Sequence, residues 1–218
     1  MADHSGTTTR PSHVQHHFVD SEQQFDAAKF GMWIFLVTEI LFFGGLFAAY
    51  IVYRAWYPEL FTLASEELNT LWGGVNTLVL IGSSLTVAMA IKSAQLNQKK
   101  NIIINLGITI ALACVFMVIK YFEYTHKFEI GIFPGEFYTY GGVDHAQANI
   151  FFSLYYMMTG LHGIHVLIGI GLMIWLVIKA NKEAFDSEYY TPLEITGLYW
   201  HLVDIIWIFL FPLFYLID

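Results

Sequence analysis

Five stretches of this chain are long and apolar enough to cross a bilayer, and nothing else in the sequence constrains its fold as much. A crossing helix needs about 20 consecutive, mostly apolar residues to span a hydrocarbon core of about 30 Å. The segments from about Phe30 to Tyr53, Val75 to Ile91, Ile102 to Phe122, Ile150 to Ile178 and Ile195 to Ile217 meet that requirement. The sequence therefore predicts an all-α fold, a polytopic membrane bundle of five transmembrane helices. Asn76, Gly82, Ser83, Ser84 and Thr86 dilute the second segment. Small polar residues of this kind let helix backbones approach closely, so that span is expected against other helices rather than lipid. Gly44 and Gly45 in the first span, with Gly160 and Gly163 in the fourth, are read the same way, as places for close helix contact.

Composition excludes most other classes. Of 218 residues, 56% are hydrophobic and only 13% charged, so the net charge of −8 cannot reflect a solvated acidic surface. The single cysteine, Cys114, rules out a disulfide framework or a cysteine-ligated cluster, and its place in IALACVFMVI reads as a buried small hydrophobe. Residues 1–28 form a polar N-terminal tail without the apolar core of a secretory signal, leaving 29–218 as one five-helix domain. His13, His16 and His17 in that tail have no hydrophobic shell to support a metal, so a solvated segment is expected.

Positively charged loop residues are retained on the cytoplasmic side. With the N-terminus cytoplasmic, the inner set is Arg10, Lys29, Lys92, Lys99, Lys100, Lys179 and Lys182, and the outer set is Arg54, Lys120 and Lys127. Seven against three favours this orientation, with Lys127 and Asp218 on the far side from Lys99. The long outer connection, 123–149, is rich in aromatic, glycine and acidic residues and reads as a structured cap.

Ionisable groups at membrane depth cost several kcal/mol unless neutralised or paired, so each needs a reason. Glu39 lies near the centre of the first span. His162 and His165 lie near the centre of the fourth, which runs antiparallel to it, and their i, i+3 spacing puts both imidazoles on one helix face. His201 and Asp204 repeat that spacing in the fifth span. These five groups could form a polar belt, either proton-linked or simply bracing the helices. Matched depth predicts that Glu39 bonds one of the two histidines, with His165 the better placed. Lys120 and Glu123 end the third span as KYFEY and read as an anchoring pair at the outer interface. Most of the six tryptophans, Trp33, Trp56, Trp72, Trp175, Trp200 and Trp207, read as interface anchors.

The segments FGMWIFLVTEILFFGGLFAAY, TGLHGIHVLIG and YWHLVDIIWIFLFPLFY, with SSLTVAMA and KYFEY between them, resemble cytochrome c oxidase subunit III in order and spacing. The resemblance covers nearly all of the chain after residue 28. It implies an accessory subunit that binds the side of catalytic subunit I, alongside subunit II and other respiratory subunits, in a bacterial cytoplasmic membrane. It implies support of assembly and of sustained proton uptake, bound phospholipid, and no nucleic acid. Haem and copper are then expected in the partner subunits, with no cofactor, metal or active site on this chain. Glu39 matches the family's buried glutamate, His162 or His165 its fourth-span histidine, and His201 and Asp204 the polar pair of its last helix. Longer members have seven helices, and in short-form relatives the two extra ones are fused to the catalytic subunit, which is expected here too.

A quinol oxidase subunit III shares the architecture, and the electron donor binds elsewhere. A membrane di-iron hydroxylase needs about eight clustered histidines, whereas His126, His145, His162, His165 and His201 are scattered. An independent transporter predicts inverted repeats and broken helices, and the sequence displays neither.

Overall fold

The computed structural model describes residues 14–143, 145 and 147–217; the first 13 residues of the polar tail, His13 among them, and Asp218 lie outside them. Five long helices run alternately up and down: α1 (Ser21–Trp56), α3 (Thr70–Gln95), α4 (Lys99–Glu129), α5 (Ala148–Asn181) and α6 (Thr191–Tyr215). Each is long and apolar enough to cross a membrane, and the chain is an integral membrane protein. The helices extend beyond the apolar stretches into polar ends, and side chains cap the starts of two of them. Asp20 accepts from the Gln23 amide at 2.8 Å to start α1, and Asn69 accepts from Leu71 and Trp72 to start α3.

A short helix, α2 (Pro58–Ser65), was not expected from the apolar pattern. Pro58 opens it with a preset φ. It buries Leu60, Phe61 and Ala64, and the Phe61 ring meets Tyr50 of α1 and Phe151 of α5. In the connection expected to be a cap, α4 first continues to Glu129. The chain then turns at Gly131, whose φ of 89° suits glycine, into a 3₁₀ turn at Gly135–Phe137.

α3 packs most extensively on α4 and also on α6, while α5 closes the bundle against α4 and α6. α1 lies at the edge, against α6, α2 and α5. The dilute second span, α3, packs one face on α4 and α6, where its small residues admit neighbouring side chains, and leaves Leu71, Leu78, Leu85 and Met89 exposed on the other. The Trp200 indole N–H reaches Ser83 Oγ at 3.0 Å, and that of Trp207 reaches Thr77 Oγ1 at 3.1 Å.

Three sequence expectations need correction. Trp200 and Trp207 are wholly buried core residues, because α3 supplies a hydroxyl for each indole; the other four tryptophans are exposed, as an interface role requires. Cys114 is exposed, because α4 turns that face away from α3 and α5. Gly44, Gly45, Gly160 and Gly163 make no close contact within the chain: a Cβ at any of them meets nothing within 4 Å. The close approaches occur elsewhere, as at Gly169, where a Cβ would stand 2.4 Å from the Trp200 ring.

Candidate functional site

Antiparallel packing brings the midpoints of α1 and α5 to one depth. There Glu39 Oε2 stands 3.1 Å from His165 Nε2. The other ring nitrogen, Nδ1, lies 2.7 Å from the Leu161 carbonyl one turn back, so the imidazole is held from both sides. Nδ1 must carry the proton to donate to that carbonyl. Nε2 then accepts from a protonated Glu39, or carries a second proton and donates to the carboxylate. The Tyr199 hydroxyl donates to the His165 carbonyl at 2.9 Å, and Phe43 packs edge-on against the imidazole, which ties α6 and α1 to the same point. Both partners of the pair keep some exposure, 18% for the Glu39 side chain and 16% for His165, on the open side of the α1–α5 seam.

His162 sits one turn from His165 but turns into the bundle. It is wholly buried, edge-on to Phe116 of α4 and tilted against Trp207 of α6, and neither ring nitrogen has a hydrogen-bond partner among the described residues. A shared helix face therefore does not give the two histidines shared neighbours. In α6, His201 Nδ1 lies 2.6 Å from Ser84 Oγ of α3. Asp204 is buried at 3% exposure with neither carboxylate oxygen bonded among the described residues. No hydrogen bond there joins the five groups into a belt. They form two separate bridges, α1 to α5 and α6 to α3, with His162 and Asp204 in the interior.

Lys120 and Glu123 are also placed differently from the sequence expectation of an interface pair. Their side chains retain only 7% and 9% exposure, because α5 and α6 close over the C-terminal end of α4. Lys120 Nζ donates to Glu123 Oε2 at 2.9 Å, to the Tyr155 hydroxyl at 2.9 Å and to the Tyr215 hydroxyl at 3.0 Å. Those hydroxyls donate in turn to Glu123 Oε1, at 2.8 and 2.6 Å. All three ammonium protons and both carboxylate oxygens are used, the arrangement a buried ion pair needs to offset its desolvation. Sequence reasoning missed Tyr155 and Tyr215. They lie at the depth of Lys120, Tyr155 in the antiparallel α5 and Tyr215 near the end of α6, which runs parallel to α4, and a depth-matched search for hydroxyls would have found them.

The arrangement braces helices and holds protons at fixed places. No group of three or more His, Cys, Asp or Glu is placed to hold a metal ion among the described residues.

Comparison with known proteins adds the relationship that geometry alone does not give. The family model described as cytochrome c oxidase subunit III matches residues 12–218. The chain is 34% identical to cytochrome c oxidase subunit 3 of Synechocystis sp. over 197 residues, covering 88% of this chain and 76% of that protein. It is 32% identical to the protein of the same name from Thermostichus vulcanus, covering 88% of each. It is 31% identical to a probable quinol oxidase subunit 3 of Staphylococcus epidermidis, covering 87% of this chain and 88% of that protein.

Proposed function

The chain belongs to the cytochrome c oxidase subunit III family, and from that premise we propose that it is the accessory, non-redox subunit of a bacterial haem-copper terminal oxidase. The match across residues 12–218 carries this reading. Family membership implies association with other oxidase subunits. The specific partners proposed are catalytic subunit I, which would hold haem and copper, and subunit II, in the cytoplasmic membrane with the N-terminus on the cytoplasmic side. The chain's contribution is to steady its neighbour, retain phospholipid and sustain proton uptake through many turnovers. Glu39–His165 is proposed as the brace that fixes the peripheral helix α1 to the bundle, so that α1 presents a constant surface to the neighbouring subunit. The two extra helices of longer family members are proposed to come from the catalytic partner.

The test is turnover of the oxidase with and without this subunit. Removal should leave the initial rate of electron transfer nearly normal and shorten the number of turnovers before inactivation. Loss of all activity from the first turnover would place the chemistry on this chain and overturn the reading. A second reading, a quinol-fed oxidase, is supported by the Staphylococcus epidermidis relative. It is distinguished by whether the purified complex oxidises reduced cytochrome c or a quinol.

A further inference from the structure

At the outer end of the bundle, where α2 turns into α3 beside the last turns of α4, lies a cavity of about 500 Å³. Its lining is amphipathic. Glu66, Glu67, Glu123 and Lys127 supply charge, and Trp72 and Phe122, 50% and 66% exposed, lead from it onto the exposed apolar surface of the chain. Lys127 is the unusual member. It is 97% buried, yet its ammonium makes one hydrogen bond, 3.0 Å to the Glu67 carbonyl, and no carboxylate lies within salt-bridge distance among the described residues. An ammonium has three protons to donate, and one neutral acceptor together with the Tyr155 ring face, 5.8 Å away, leaves its burial costly. Lys120 nearby shows the contrast, with all three protons engaged.

The carboxylates are differently committed. Glu123 is spent on Lys120 and the two tyrosines. Glu67 Oε1 accepts from the Tyr140 hydroxyl at 3.0 Å, which fixes that side chain while leaving its second oxygen without a bond among the described residues. Glu66 is exposed at the rim. The cavity thus offers a buried cation and two underused carboxylates in one lining with the apolar Trp72 and Phe122.

We infer that this cavity binds the headgroup of a zwitterionic aminophospholipid, such as phosphatidylethanolamine, from the outer leaflet. The phosphate accepts hydrogen bonds from the free protons of Lys127, and the primary ammonium donates to Glu66 and Glu67. The acyl chains leave past Trp72 and Phe122 along the exposed face that Val118 and Val115 continue down α4. The size lies within the range of small-ligand sites. An anionic lipid satisfies Lys127 but meets the acidic rim, and a choline headgroup has no N–H to donate, so the charge pattern selects the primary amine. This inference deepens the lipid-retaining part of the proposed function and rests on it.

The oxidase complex containing this subunit, stripped by repeated detergent exchange, is titrated with nanodiscs containing phosphatidylethanolamine, phosphatidylglycerol or phosphatidylcholine. Lipid retained after a second wash is counted by mass spectrometry. The wild type should retain about one more phosphatidylethanolamine than either other lipid. Lys127→Met should lower that retention on the order of tenfold, the loss of one charge-assisted hydrogen bond, and Lys127→Arg should restore it. Glu66→Gln with Glu67→Gln should abolish the preference for ethanolamine over glycerol. Glu66 is exposed, so Glu66→Gln alone keeps the test open if the Lys127 variants fail to fold. Equal retention of the three lipids, or Lys127→Met indistinguishable from wild type, would overturn the inference. Haem content of the same preparation is read in parallel. A complex that carries haem but shows no preference fails this site alone, whereas failure to associate with a haem subunit fails the function reading.

Discussion

The sharpest consequence of the buried network at the outer end of α4 concerns non-additivity between Lys120 and Glu123. Lys120→Met removes the cation and leaves Glu123, 9% exposed, held only by the two tyrosine hydroxyls. Stranding one charge of a buried pair costs about 3 to 5 kcal/mol. Glu123→Leu strands Lys120 on the two hydroxyls at a similar cost. The double variant strands neither charge, and Tyr155 and Tyr215, whose hydroxyls lie 3.3 Å apart, can still bond each other. The double should therefore cost less than the two singles together by about 2 to 3 kcal/mol, near the upper end of couplings between contacting residues. The assay is equilibrium unfolding of the subunit in mixed micelles of increasing denaturing detergent, followed by near-ultraviolet absorption of the tyrosines and by tryptophan emission. Trp207, whose ring lies 5.3 Å from the Lys120 ammonium, is a local reporter. Additivity within about 0.5 kcal/mol, the result for independent sites, would refute the closed network.

Other outcomes follow from the same contacts. Glu39→Gln preserves shape and one hydrogen bond to His165, so the assembly should survive; Glu39→Leu leaves the imidazole half-satisfied, should cost about 1 to 3 kcal/mol, and should speed dissociation of the subunit from the complex on washing. If Glu39→Gln instead abolished proton pumping with the subunit fully bound, Glu39 would carry protons rather than brace helices. Gly169→Ala drives a methyl into the Trp200 ring and should destabilise by about 1 to 3 kcal/mol, whereas Gly160→Ala, inside α5 and facing open space, should stabilise the isolated subunit by roughly 0.5 to 1 kcal/mol. In a Cys114→Ala background, single cysteines near Lys99 should label from the cytoplasmic side and those near Lys127 from the other; the reverse pattern would contradict the orientation.

Much of the fold is legible from the sequence because a bilayer imposes a simple rule: apolar length fixes the spans, and the placement of Lys and Arg fixes an expected orientation. The Glu39–His165 contact is legible by the same logic, since depth in antiparallel helices follows from counting residues. Rotation about the helix axis is not legible, because both lipid and protein interior are apolar. Hence Cys114 could not be assigned to a face, and glycines at 44, 45, 160 and 163 looked like packing sites when they point away from the chain's own helices. Helix α2 escaped because eight residues, PELFTLAS, lack the length that marks a span. Lys120 and Glu123 seemed interfacial because their place near a span end is visible in sequence, while the tyrosines that enclose them come from two other helices.

The central claim is that this chain is a structural companion to a redox subunit, and its most direct test is purification of the affinity-tagged chain from its native membrane in mild detergent. The account predicts that it brings down a larger subunit with a haem absorption spectrum, and that stripping away the companion leaves this chain with neither haem nor copper. Recovery of the chain free of any haem-bearing subunit, or retention of stoichiometric metal after stripping, would contradict it.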